Sequence, residues 1–456
     1  MMDSVPPPSR EMTRRSFVAR SALLPFLWAS LSGCSSGDGK NGKGRVAHRC
    51  PSWPASPLSP GTPLWPVRFK GYGASLSLSG RWLAGGGKDQ KLWLRDSRTG
   101  RLVWDRAAER SATPGDGAEH QDNPRVLAVK GRVLAGGGDG YLADQAVALC
   151  AADGEVLWRR DIPGGQSMEI AVSGDVVGVI AQHDVFGLSL RTGEVLWRLV
   201  VSQAAGLVSH GRMFLFTCRD VESPYGAMGV DRESGDVVWD ERVADSNYVD
   251  IKVADGLAHL LATRVVEEAQ DDGTIVFATV PGELRSIDAE TGKVAWNRSM
   301  PLSGDWLIGG GCVFVQTNDR LFALLRDTGE TAWSMPIPSD TNVQLAFHEG
   351  SLFASRSGFA DEKGFLIALD PATGKERWRL DDSDFSPVIP GPPGMLLANP
   401  DGGTVSALET TAGDVIWSSR FKGPVQAVTD ELVYCHDGEE ISVYDVTSGD
   451  PYYGQG

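Results

Sequence analysis

Asp231, Asp288, Asp370 and Asp445 stand at one recurring place in the chain, in VDRESGDVVW, IDAETGKVAW, LDPATGKERW and YDVTSGDPYY. Carboxylates repeated at one spacing could act as general bases or, gathered together, as ligands for a hard cation. The other reading is a turn. An Asp side chain bonds its own backbone two or three residues on, and the glycine four residues later supplies a positive φ. No Ser/His/Asp spacing, H-E-x-x-H or phosphate loop accompanies these aspartates. They are read as turn residues. His183, His210, His348 and His436 each sit beside Gly or Asp at a predicted turn, the pattern of surface histidines. The GGG runs at 85–87, 136–138 and 309–311 lack a following Lys-Ser/Thr and are strand-end glycines. No catalytic or metal-binding residues are assigned.

A second set of candidates is acidic. Asp139, Asp184, Asp271, Asp272, Asp401, Asp437, Glu439 and Glu440 fall in predicted connections between second and third strands of the repeat described next. Such a set can form a negative docking face for a basic partner or a cation. Asp-Gly turn chemistry and solubility account for several of the same residues. The net charge of −16 sets the sign of the field around the whole chain. That field repels phosphate backbones, so nucleic acid is not an expected partner.

Both sets hang on one repeat. A turn glycine is followed four residues later by tryptophan at Trp104, Trp158, Trp197, Trp239, Trp296, Trp333, Trp378 and Trp417, and Gly449 adds a ninth turn with Tyr453 in place of tryptophan. From Gly100 to Gly449 the spacing averages about 44 residues, which suits four short strands with their turns. PRVLAVKG, RVLAGGG, AVALCAADG and EVLWRRDI read as one such unit, apolar runs bounded by Gly and Asp. The class is therefore all-β. Sheets apolar on both faces must stack on neighbours, and radial stacking makes a β-propeller. Strict counting predicts nine blades. PLWPVRFKG, with Trp65 in the motif position, reads as a lone outer strand that closes the ring against the C-terminal unit. Each motif tryptophan lies in an outermost strand facing the next blade, where its ring can bury about 200 Å² and its N–H can reach a main-chain acceptor. That burial contributes up to about 5 kcal/mol per site.

The A-L-D-x-x-T-G-x-x-x-W pattern, as in IALDPATGKERW and RSIDAETGKVAW, resembles the quinoprotein (PQQ-like) propeller repeat over roughly residues 65–453. The resemblance implies eight blades, the count favoured here over nine, and tryptophans that dock blades without touching cofactor. A dehydrogenase of that family would also bring PQQ with calcium, a carboxylate and amide ligand set, and often adjacent cysteines. No Cys-Cys pair is present and no ligand set is recognisable. No cofactor is therefore expected.

The N-terminus decides location. Arg14, Arg15 and Phe17 ahead of the apolar run 22–31 resemble a twin-arginine export signal, and Leu31-Ser32-Gly33-Cys34 resembles a lipobox. The apolar run is too short for a permanent span, which needs about 20 residues. Residues 1–33 are read as signal peptide, 34–63 as lipidated Cys34 and a Gly/Ser/Pro-rich tether, and 64–456 as propeller. Two acyl chains on Cys34, at about 0.8 kcal/mol per buried CH₂, would hold the protein stably at an extracytoplasmic membrane surface. The remaining cysteines are widely scattered, read as buried thiols, with disulfides not needed for folding. The expectation is a monomeric, membrane-tethered scaffold that binds protein partners, similar to the outer-membrane-assembly propeller lipoproteins. A quinoprotein dehydrogenase, a binder of sugar or cell-wall polymer, and a sensor domain are the alternatives.

Overall fold

The computed structural model describes residues 67–453 except 69–73, 88–90, 108–123, 138–144, 164–167, 182–183, 220–224, 244–245, 247, 270–274, 339–342, 359–363, 382–384, 400–402 and 438–439. The Cys34 anchor, the export signal, the tether and Trp65 lie outside them. Every regular element among the described residues is a strand.

Nine four-stranded antiparallel sheets follow one another along the chain. Eight are continuous: blades 1 to 8 occupy 74–107, 125–161, 168–200, 203–242, 248–300, 302–336, 344–381 and 388–421. Blade 9 takes three strands from 425–445, and its outermost strand is Val67–Arg68, paired with Ile441 and Glu440. Chain ends thus share one sheet and close the ring, as the lone N-terminal strand suggested. The favoured count of eight is corrected to nine. The C-terminal unit is a blade in its own right, because its missing fourth strand is supplied from the other end of the chain. Tyr453, which was to replace the motif tryptophan, is 60% exposed.

Burial explains the sequence grammar. Second and third strands are covered on both faces, as in Val176–Ala181, Cys312–Thr317 and Ser351–Arg356, where every residue is buried. They therefore read as unbroken apolar runs rather than alternating ones. Outermost strands such as Val195–Val200 and Val237–Arg242 bury only the tryptophan fully. Between third and fourth strands the turn is built as the aspartates implied. Asp231 accepts hydrogen bonds from the backbone of Glu233 (2.9 Å) and Ser234 (3.1 Å), and Gly235, at φ 75°, donates to the Asp231 carbonyl. These bonds hold the Asp231 carboxyl below its ordinary range, the Ser234 amide most of all.

First strands of consecutive blades touch one another, which places them around the axis. Their axis-facing edges lack a strand neighbour among the described residues, and side chains from the preceding blade satisfy part of that edge. Ser77 accepts from the Ala128 amide (3.0 Å), and Glu169 accepts from Gly206 and Leu207 (3.1 and 2.8 Å). Between blades 9 and 1, Leu83 and Trp93 pack with Tyr434, Ile441 and Val443, and Tyr434 donates to the Ser97 carbonyl at 2.9 Å. Blade 5 departs from the others in length: its middle strands, Leu257–Ala269 and Ile275–Asp288, run 13 and 14 residues and pair well beyond the rest of their sheet.

Candidate functional site

The structure places all eight motif tryptophans between blades. Each indole Nε1 donates to a carbonyl of the following blade: Trp104 to Ala151, Trp158 to Leu190, Trp197 to Arg232 and Trp239 to Ala289. The series continues with Trp296 to Arg326, Trp333 to Pro371, Trp378 to Thr410 and Trp417 to Val446, all eight at 2.7–3.0 Å. The motif glycine has a second duty that its spacing did not disclose. A Cβ at Gly235 would lie 2.4 Å from the Trp197 ring, and one at Gly292 2.3 Å from the Trp239 side chain. The same holds for Gly154, Gly193, Gly329, Gly374, Gly413 and Gly449 against the preceding tryptophan. Each turn therefore needs glycine both for its positive φ and as the floor on which an indole rests.

Two of the three acidic candidates among the described residues are buried. Asp184 is 7% exposed, and its two oxygens take Arg198 Nε at 3.0 Å and Nη2 at 2.8 Å. Glu440 is 5% exposed and pairs with Lys422 Nζ at 3.3 Å. Asp437 Oδ1 accepts the Glu440 amide at 2.8 Å, a turn bond. The docking role assigned to Asp184 and Glu440 is corrected: Asp184 meets Arg198 within its own sheet, and Glu440 meets Lys422, which follows the last strand of blade 8. Asp139, Asp271, Asp272, Asp401 and Glu439 lie outside the described residues.

Ionisable groups do come together on the first strands of blades 5 and 6. Trp306 Nε1 donates to Asp250 at 2.8 Å, and Lys252 lies 4.5 Å from the Trp306 ring centroid with its ammonium on the Trp306 carbonyl. Asp305 accepts from the Leu345 amide of blade 7 at 3.1 Å and from the Trp306 amide at 2.8 Å. Gly304, at φ 73°, sits in a register break of this strand, the kind of bulge that re-aims a neighbouring side chain. Burial pushes the Asp305 carboxyl up and draws the Lys252 ammonium down; the charges of each oppose the other's shift. Asp250 and Asp305 are thus occupied by indole and backbone donors, with a built-in cation beside them. No group of three or more His, Cys, Asp or Glu among the described residues is arranged to hold a metal ion. Each carboxylate oxygen of Asp250 and Asp305 already accepts a hydrogen bond, so this pair is not laid out as a calcium site.

Some residues with chemical potential were misplaced or missed. His348 and His436, read as surface turns, are 5% and 6% exposed, and His348 Nε2 lies 3.3 Å from the Pro392 carbonyl. His183 lies outside the described residues. Cys218, Cys312 and Cys435 are buried thiols, and burial raises the pKa of Cys312 and Cys435. Cys150 is disulfide-bonded, which corrects the reading of the scattered cysteines as thiols throughout. His259 drew no attention because it stands inside the apolar run AHLLA. It is 0% exposed, both ring nitrogens lack a hydrogen-bond partner, and its cross-strand neighbour Ser286, also 0% exposed, has an unpartnered Oγ.

With this geometry in place, comparisons with known proteins bear on identity. A model for PQQ-like repeats, described as outer membrane protein assembly factor BamB, matches residues 55–221, 89–335, 226–381 and 362–452. Outer membrane protein assembly factor BamB of Yersinia pestis is 26% identical over 326 residues, which cover 68% of this chain and 78% of that protein. Polyvinylalcohol dehydrogenase of a Sphingopyxis species is 23% identical over 334 residues, 64% of this chain and 46% of that enzyme. A crystal structure of a eukaryotic initiation factor superposes with a TM-score of 0.53 at 11% identity, covering 77% of this chain and 88% of that one, a likeness of fold alone.

Proposed function

The chain belongs to the PQQ-like repeat family described as outer membrane protein assembly factor BamB, and from that premise we propose that it is a non-catalytic, protein-binding scaffold of the cell envelope. Residues 1–33 direct export, a lipid on Cys34 holds the protein at the membrane, the segment 34–63 acts as tether, and the propeller presents its surfaces to protein partners. The reading is carried by one observation. All eight tryptophans of the repeat, and the glycines beneath them, are consumed in docking blade to blade. Asp250 and Asp305, on the innermost strands of blades 5 and 6, are likewise taken up by indole and backbone donors.

The test has two arms. Lipidated protein purified from membranes under mild detergent is expected to bring down stoichiometric protein partners. The same protein soaked with PQQ and calcium is expected to lose the quinone on desalting and to show no dye-linked oxidation of alcohols. Stoichiometric quinone retention with turnover would replace the scaffold by a quinoprotein dehydrogenase, the activity class suggested by the polyvinylalcohol dehydrogenase match.

A further inference from the structure

Among the described residues, the outermost strand of each of blades 1 to 8 has one neighbour in its sheet and so presents an edge of backbone donors and acceptors. Such edges invite strand addition unless charge, proline or a bulge blocks them. Three residues after the motif tryptophan the eight edges read Ala107, Asp161, Val200, Arg242, Ser299, Pro336, Asp381 and Arg420. Blade 3 alone places a large apolar residue there. Val200 is 72% exposed, the highest value for any large apolar side chain among the described residues. Leu196, four residues earlier at the bulge that opens the strand, is 46% exposed.

Arg198 stands between them and would ordinarily guard the edge. Its guanidinium instead meets both oxygens of Asp184, the cross-strand partner of Val200, and lies 5.6 Å from the Phe186 ring centroid. The one charge on this ridge is matched within its own sheet. What remains is the strand Val195–Val200, whose bulge falls at its start on Leu196 and whose regular edge runs from Trp197 to Val200, with Leu196 and Val200 exposed on either side of Arg198.

We propose that the outer edge of blade 3 is a strand-addition site for an extended segment of a partner protein bearing apolar side chains at every second position. Edge chemistry selects the occupant: alternating N–H and C=O groups are satisfied by another extended chain, and the Leu196–Val200 ridge favours alternating apolar residues. A second copy fits poorly. Two chains each carrying −16 would have to meet over a strand of six residues. The inference deepens the scaffold reading and rests on it.

The probe is a ten-residue peptide alternating valine and threonine, N-methylated along one edge so that it cannot stack on itself. The control peptide is N-methylated along both edges. Binding to the full-length protein is followed by fluorescence anisotropy at 0.15 M salt. Val200→Arg installs the residue type of blades 4 and 8 at this row, and Leu196→Arg that of Arg377 in blade 7, so neither should disturb folding; circular dichroism checks this. Saturable binding of the probe, absent with the control peptide and weakened at least tenfold by either variant, is the expected result. Val415→Arg on the edge of blade 8 should leave it unchanged. The proposal is overturned by no saturable binding, by equal binding by Val200→Arg, or by a dimer of wild-type chains dissolved by that variant. If membrane partners are still captured by Val200→Arg at wild-type yield, the scaffold reading stands and the edge site falls.

Discussion

Replacing His259 by leucine should stabilise the protein and flatten its response to mild acid. Across blades 1 to 8 the second-strand residue in the tryptophan row is Ala84, Leu134, Gly178, Leu215, His259, Phe314, Phe353 and Leu397, found by following the cross-strand pairs inward from each tryptophan. The third-strand residue between is apolar in every blade but the fifth, where it is Ser286. Blade 5 therefore seats two polar side chains in a row that is otherwise dry. Burial lowers the His259 pKa from 6.5 to about 4, helped by the Arg326 charge and opposed by that of Asp327. A histidine depressed in the folded state binds its proton more readily when unfolded. Its contribution is thus fully present above pH 6.5 and is lost as pH falls toward 4. At 1.36 kcal/mol per pH unit the loss approaches about 3 kcal/mol. Leucine at 259 removes two unpartnered nitrogens, for a gain of about 1–3 kcal/mol at pH 7. Urea unfolding of both proteins from pH 7.5 to 4.5 gives the measurement. The curves should diverge as pH falls. Aspartates with lowered pKa, such as Asp370 at about 2, act further down the scale and cancel in the comparison. Parallel curves, or a less stable leucine variant, would refute the reasoning.

Two further tests address the interlock and the anchor. Trp239→Ala should cost about 3–5 kcal/mol, the usual range for truncating a buried aromatic, and Gly292→Val should destabilise comparably, because its Cβ would enter the Trp239 side chain; calorimetry reads both, and a neutral Gly292→Val would sink the floor argument. Cys34→Ser should move the protein from the membrane pellet to the soluble extracytoplasmic fraction, and its persistence in the pellet after a salt wash would exclude the lipid anchor.

What could be read beforehand was what chemistry makes local. A glycine and a tryptophan four apart report a turn and an outer strand regardless of distant contacts, so the repeat and its nine occurrences were visible. Blade number differs because the eight blades that the family resemblance implies outweigh the nine counted, although the lone strand around Val67–Arg68 already points to a ninth sheet shared by the two ends. The acidic candidates show the opposite limit. Residue type and loop position cannot tell a solvent-facing carboxylate from Asp184, whose neighbour across the strand pair brings Arg198 within 2.8 Å. His259 was hidden for a similar reason: its oddity appears once the register aligns it with Phe314 and Leu215. Laying the repeats over one another by strand row, rather than by turn motif, would have exposed it.

Stacking imposes the same demand on every blade, so a departure confined to one blade cannot be explained by stacking. The departures are not spread evenly. The unguarded edge at Val200 belongs to blade 3 and the glycine bulge at Gly206 to blade 4. His259, Ser286 and the lengthened middle strands belong to blade 5, and the Gly304 bulge with Asp305 to blade 6. Blades 3 to 6 are consecutive; Glu169 links the first strands of blades 3 and 4, and Lys252 those of blades 5 and 6. In a ring of near-equivalent units, substitutions in the shared rows should act on stability wherever they fall. Substitutions at the singular positions of this arc should act on what the ring holds. Val200→Arg and Gly292→Val stand on either side of that division, the first expected to spare the fold and the second to weaken it.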